Sequence, residues 1–349
     1  VTAEPLRAPF PWFGGKRTVA SEIWSRLGDT PNYVEPFAGS AAVLLARPHA
    51  PRTETINDAD GFVSNFWRAV QADPEGVAAA ADWPVNERDL EARHAWLVTE
   101  GRATLARLGG DPLGYDARIA GWWVWGACAW IGSGWCSGKG PWSWTGEAWQ
   151  DARQLPHVGD AGQGINRQLP HVGSAGQGIN RQLPHVGDAG RGAFIRSWIG
   201  ALSERLRDVR VLCGDWSRAV TESLTTRHGL TAVLLDPPYG DLSGRAETYT
   251  HDSGTVAAEV RAWALANGND SLLRIALCGY DGEHTMPGWT AWRWKARGGY
   301  GSQSDKRGRA NAARETIWFS PHCLVPVDAD PPKAPRRATS PSLFAEPAA

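Results

Sequence analysis

The sequence predicts an α/β fold, a mostly parallel sheet with helices on both faces. Three observations predict it. Short apolar runs alternate with stretches of helical periodicity at both ends of the chain. The apolar runs end in small-residue, Pro or Asp turns, as buried strands that feed crossover helices do. And 349 residues, 42 % hydrophobic and 21 % charged, hold enough apolar material for one large or two medium domains.

Taken in order, Tyr33–Phe37 reads as a short buried strand, after which Gly39-Ser40 opens a helix over Ala41–Ala46. Glu54–Asn57 reads as a second strand ending at Asp58. A helix follows, with Phe62, Phe66, Trp67 and Val70 on one face. Beyond the middle of the chain, Val209–Cys213 is predicted as a strand, Trp216–Leu224 as a helix and Thr231–Leu235 as a strongly apolar strand. A helix near Val256–Ala266 precedes strands at Leu272–Cys278, Thr290–Trp294 and Thr316–Phe319.

The middle has a different character. Residues 153–194 are three near-identical copies of a 14-residue unit, each with one Pro and several Gly and little to bury. The segment reads as a flexible insertion produced by tandem duplication. Its recurring His157, His171 and His185 have no accompanying Cys or acidic ligand set, so a solvated loop is expected in place of a metal site. Residues 326–349 contain six Pro and read as a disordered tail.

Thirty-six Lys and Arg against 37 Asp and Glu leave a net charge of −1, which excludes a polybasic protein but not a local basic surface. Five scattered Cys form no CxxC pair, which points to reduced thiols in a cytoplasmic protein. The first 30 residues have no apolar run of signal-peptide type. Gly121–Gly132 is about half the roughly 20 residues that a bilayer span needs, so no membrane anchor is expected. Arg-rich, Lys-poor composition and the tandem insert fit a bacterial or phage-infected cell. Twenty Trp stand out, eight of them within residues 121–149.

Four segments carry chemistry. In Trp12–Lys16, Gly14 and Gly15 allow a tight turn and close approach to a ligand, Lys16 brings a charge and Trp12 a flat face. In Glu35-Pro36-Phe37-Ala38-Gly39-Ser40 a strand ends, a small-residue loop turns and a helix begins. This is where an open α/β sheet binds a nucleotide-like ligand, and equally what an ordinary strand–turn–helix with a Ser cap looks like. Asp58, about 20 residues on, suits a ribose diol; Asp60 suits a helix cap. In Asp236-Pro237-Pro238-Tyr239 the prolines remove two backbone donors. Asp236 and the Pro237 carbonyl are then free to accept from one exocyclic amine, and Tyr239 offers a ring for stacking on a flat base.

In this order the four segments resemble the alpha group of N6-adenine DNA methyltransferases, the DNA adenine methylase family. Cys213-Gly214-Asp215 is similar to the acidic loop that precedes the family's catalytic strand, and Arg314–Trp318 to its closing strand. The resemblance covers roughly residues 9–70 and 205–320, with Ala38 as a mild departure. It implies a Rossmann-like S-adenosylmethionine-dependent methyltransferase sheet. Its catalytic part would be residues 1–70 and 205–325, and a mainly helical target-recognition region would occupy 71–204. It further implies that Trp12, Gly14, Gly15 and Lys16 border the cofactor, that Glu35 belongs to the cofactor site, that Pro36–Ser40 wraps the methionine part and that Asp58 holds the ribose. Asp215 would lie near its adenine, and Asp236, Pro237, Pro238 and Tyr239 would hold a base flipped out of double-stranded DNA. Direct transfer needs no covalent intermediate and no metal. A monomer is expected.

Residues 293–314 carry seven basic side chains and one acid. Arg293, Lys295, Arg297, Lys306, Arg307 and Arg309 read as a phosphate clamp, or as a solvated hairpin. The Trp block fits a helical core or stacking wedges against DNA. Methylation of rRNA or protein, and a DNA-binding module without catalysis, are the competing functions. The early Gly-Gly-Lys segment favours DNA adenine, and the intact Asp236–Tyr239 favours catalysis.

Overall fold

The computed structural model describes residues 6–12, 14–109, 111, 114–130, 135–136, 142–144, 149–151, 192–239, 255–295 and 315–326. In chain order the principal elements begin with α1 (Ala20–Leu27), β1 (Asn32–Glu35), α2 (Ala42–Leu45), β2 (Thr53–Asp58), α3 (Gly61–Ala72) and α4 (Pro74–Ala81). They continue with α5 (Glu87–Trp96), α6 (Arg102–Leu108), α7 (Ala117–Ala129), β3 (Trp142–Trp144), β4 (Trp149–Asp151) and α8 (Gly192–Leu206). The C-terminal part holds β5 (Val209–Cys213), β6 (Thr231–Leu235), α9 (Val256–Asn267), β7 (Leu273–Tyr280), β8 (Thr290–Arg293) and β9 (Glu315–Phe319). A π-helical segment, Leu97–Gly101, joins α5 to α6.

Seven strands form one sheet in the order β5-β2-β1-β6-β7-β9-β8. The first five are parallel, and β9 runs antiparallel to both β7 and β8. This is the mixed α/β architecture of a Rossmann-like methyltransferase. Strand β1 is flanked by β2 on one side and by β6 on the other, so the chain reverses its direction of travel across the sheet there. Such a switch point leaves a crevice at the carboxyl ends of the strands. The register lines those ends up, with Glu35 beside Ile56, Asp58 beside Cys213 and Leu235 beside Leu277.

The period of two along each strand divides the core. Tyr33, Ala232, Leu234, Ala276 and Cys278 face one layer with α1, α3, α4, α7 and α8. Val34, Val233, Leu235, Ile275 and Leu277 face the other, with Val260 and Ala264 of α9. Helix starts follow their caps. Asp60 accepts from Phe62 N at the start of α3, and Asp73 caps α4 with Pro74 in its first turn. Asn86 caps α5 and Asp116 caps α7.

Two expectations are corrected. The helix expected over Trp216–Leu224 is a short 3-10 helix, Trp216–Val220, capped by Asp215; the Thr- and Ser-rich continuation leaves helical geometry at Thr221. The helix expected over Ala41–Ala46 is the single turn α2. Ala41, and not Ser40, holds the cap position, in the left-handed region with φ 49°. One turn has little macrodipole, so the anion-binding argument for this helix start falls away. The repeats lie outside the described residues save the first three residues of α8, and residues 327–349 of the tail lie outside them. Of the Trp block, Trp123 and Trp125 are buried in α7, and Trp122, Trp130 and Trp135 pack against the same core. The Trp142, Trp144 and Trp149 side chains lie outside the described part of the structure.

Candidate active site

The loops after β1, β2, β5 and β6 meet at the switch point, and Asn57 ties three of them together. Its amide donates to Pro36 O at 2.9 Å and to Gly214 O at 3.0 Å. Backbone bonds Ala38 N to Asn57 O, 2.9 Å, and Gly214 N to Asp58 O, 3.1 Å, complete the tie. Asp58 sits behind the Pro36–Ser40 loop, with Oδ2 accepting from Gly39 N and Oδ1 from Asp60 N, each at 2.9 Å. Burial, then the neighbouring Asp60 charge, pushes its pKa up to about 7.

Gly39 is the tight point of this loop. Its φ is +45°, and a Cβ there would lie 2.2 Å from Trp12 Nε1. Its carbonyl accepts from Trp67 Nε1 at 2.9 Å. The Trp12–Lys16 segment turns through Gly14, φ 74°, with Gly15 N donating to Trp12 O at 3.2 Å. Trp12 is half-buried over the loop, beside Phe10 and Trp123. Glu35 is buried and faces inward. Its carboxyl accepts from Tyr33 Oη at 3.0 Å and from the Leu44 backbone, and burial pushes its pKa up to about 8. Asp215 is exposed at the mouth, and the adjoining Trp216 stacks on Phe37 with centroids 6.1 Å apart.

The other half of the site follows β6. Lys16 Nζ reaches both oxygens of Asp236, at 2.8 and 2.9 Å, and donates to Gly14 O at 2.7 Å. Burial by itself lowers the pKa of the ammonium. The charges of Asp236, Cys278 and Glu315 outweigh it, and the net shift is upward. Lys16 therefore stays charged, 5.2 Å from the centre of the Tyr239 ring. The Tyr239 hydroxyl donates to Glu315 Oε2 at 2.9 Å and lies 3.3 Å from Asp236 Oδ1. Burial, then Asp236 and Glu315, push its pKa well above the usual phenol range. The phenol thus keeps its proton and acts as donor. Tyr280 closes the ring's edge at 4.7 Å and 75°.

Two segments 220 residues apart are thus joined by one ion pair. Residues 12–93 match the model of a family described as D12 class N6 adenine-specific DNA methyltransferase. The match shows a likeness to that family over the N-terminal quarter of the chain and supports an adenine DNA methyltransferase. Among curated proteins no relative matches it. The family's activity is methylation of adenine in DNA, and its members as methyltransferases imply S-adenosylmethionine as donor. The loop chemistry fits such a group. Asp58 offers a carboxylate with lone pairs to spare, and Phe37 and Trp216 offer apolar faces.

Glu315, Tyr280, Asn57 and Trp67 are site-supporting residues to which the sequence motifs assign no role. One signal was present for Glu315. It is the lone carboxylate in Glu315–Phe319, a strand buried throughout. Of the basic residues read as a clamp, Arg293 and Lys295 are exposed at the end of β8, and Arg293 pairs with Asp281 at 3.0 Å. Arg297, Lys306, Arg307 and Arg309 lie outside the described residues. Among the described residues no group of three or more His, Cys, Asp or Glu could hold a metal ion, and no helix is long and apolar enough to cross a membrane.

Proposed function

We propose that the chain transfers a methyl group from S-adenosylmethionine to N6 of an adenine flipped out of duplex DNA, at a specific recognition sequence. The observation that carries this reading is the join of Asp236 and Tyr239 at the end of β6 to Lys16, beside the Pro36–Ser40 loop. The order of these segments along the chain resembles that of the alpha group. Bound there, the donor supplies an electrophilic methyl on a sulfonium. The chain's residues supply position and field.

Trp12, Gly14, Gly15 and Lys16 would border the donor, Pro36–Ser40 would wrap its methionine part, Asp58 its ribose, and Asp215 its adenine rim. Asp236 and the Pro237 carbonyl would accept the two N–H groups of the adenine amine. Those bonds draw the nitrogen lone pair out of the ring and toward the methyl. Each carboxylate oxygen accepts more than one hydrogen bond, so Lys16 can stay on Asp236 while the amine binds. Stacking on Tyr239, worth about 1–3 kcal/mol, offsets part of the few kcal/mol that flipping costs. Basic residues of 293–309 would hold phosphates.

The deciding experiment measures tritium transfer from labelled donor to duplex DNA, RNA and protein, then maps methylated adenines by single-molecule sequencing. Transfer to adenine in duplex DNA is expected, and its loss in Asp236→Ala with donor binding largely kept. Tyr239→Ala should lose most activity. Wild-type turnover by Asp236→Ala would overturn the assignment.

A further inference from the structure

Tyr239 is held by more than its own loop. Glu315 opens β9, which lies between β7 and β8. Its Cα pairs in register with Tyr280, and its carbonyl accepts from Trp294 N at 3.0 Å. The backbone of Glu315 is therefore fixed on both sides, and its side chain is buried. From this rigid base the carboxylate takes the Tyr239 hydroxyl at 2.9 Å, closer than the 3.3 Å that separates the hydroxyl from Asp236 Oδ1.

Those two distances describe a competition. One phenol proton faces two carboxylates. Pro237 and Pro238 stiffen the backbone but leave the Tyr239 side-chain torsions free. Among the described residues, the acceptor left to the hydroxyl without Glu315 is Asp236. A hydroxyl drawn there would turn the ring and take up a lone pair that the adenine amine needs. We propose that Glu315 is a positioning residue. It holds the Tyr239 hydroxyl, so that the ring stays in place to stack the substrate base and Asp236 stays open as acceptor. The inference rests on the reading of Asp236–Tyr239 as the base-holding segment.

The test has two arms in the full chain. First, 3-fluorotyrosine is placed at position 239 and its fluorine resonance is followed by NMR. Glu315→Ala should shift or broaden the resonance. Glu315→Gln, whose amide oxygen still accepts, should leave it close to wild type. An unmoved resonance in Glu315→Ala overturns the inference, whether or not the chain methylates anything.

Second, methyl transfer to duplex DNA is measured for Glu315→Ala, Glu315→Gln, Tyr239→Phe and Tyr239→Phe/Glu315→Ala. Glu315→Ala should lower kcat about 10- to 100-fold, the usual worth of a hydrogen bond to a charged group, with donor affinity unchanged and Glu315→Gln recovering most of the loss. In the Tyr239→Phe background the same substitution should add little. Losses that simply add would assign Glu315 to strand stability and overturn the inference. Should Glu315→Ala fail to fold, Tyr239→Phe removes the same bond from the other end and Glu315→Gln tests the charge. A wild-type chain inactive on adenine would retire the proposed function, and the fluorine arm would then decide this inference alone.

Discussion

Gly39→Ala tests the packing of the Pro36–Ser40 loop with magnitudes that the geometry supplies. Two penalties compete for the larger share. The first is backbone: at φ +45° an alanine costs about 1–2 kcal/mol. Ala41, two residues on, already bears that cost at φ 49°, so the conformation alone is tolerable here. The second is contact. The new Cβ would lie 2.2, 2.5 and 2.7 Å from Nε1, Cδ1 and Cε2 of Trp12. Carbon atoms pack at about 3.5–4.0 Å, so the indole must retreat by ~1 Å. The loop cannot yield in its place, because Gly39 N is held by Asp58 and Gly39 O by Trp67. Trp12 in turn is backed by Phe10 and Trp123. Such overpacking costs about 1–3 kcal/mol.

The sum is about 2–5 kcal/mol, to be read by urea unfolding. Donor affinity by calorimetry should fall at least ~10-fold, because the displaced indole borders the same loop. Trp12→Ala should relieve the contact, so that in its background Gly39→Ala costs only the backbone share. A Gly39→Ala protein within about 0.5 kcal/mol of wild type, with unchanged donor affinity, would refute this account of the loop.

Other outcomes follow from the charges in and around the site. Asp58, with its pKa near 7, should make donor affinity rise with pH through neutrality, by up to ~10-fold per unit below it, since ribose hydroxyls donate to the ionised form; Asp58→Asn should flatten the profile in calorimetry. Glu35, pushed up to about 8 from an ordinary value near 4.5, binds more protons folded than unfolded between those limits. Stability is therefore fully present below about pH 4.5 and falls toward pH 8, by up to ~1.4 kcal/mol per unit, and Glu35→Gln should remove that slope in urea melts. Glu54, buried between Arg47 at 3.0 Å and Arg205 at 2.6 Å, should cost about 3–5 kcal/mol when replaced by Ala, because the buried Arg47 loses its close carboxylate and keeps only Asp29 at 3.8 Å as a counter-charge. Neutralising Arg293 and Lys295 should reduce the salt slope of DNA binding by about 1 for each phosphate they no longer neutralise, and an unchanged slope would remove them from the interface.

What the sequence by itself determined was local. Strands β5 and β6 run over the residues expected, Val209–Cys213 and Thr231–Leu235. Apolar β-branched runs stopped by Gly214 and Pro237 leave their ends little freedom. The cap at Asp60, and the clustering of the chemical segments at strand ends, were legible for the same reason: a turn residue acts on its own neighbours. Helical periodicity was less exact after Trp216, where the Thr221 and Thr225 hydroxyls bond to the Arg218 and Thr221 carbonyls and compete with a full helix.

What only the tertiary structure decided was pairing across the sheet. Lys16 meets Asp236, Arg205 meets Glu54, and Tyr239 meets Glu315 over separations of 220, 151 and 76 residues. No period or spacing encodes those partners. They depend on β6 inserting beside β1 and on β9 inserting between β7 and β8, an order set by how the whole chain buries its apolar faces. A carboxylate such as Glu315 reads along the chain as one more residue of a closing strand. Its place in the site is fixed by the strands on either side of it.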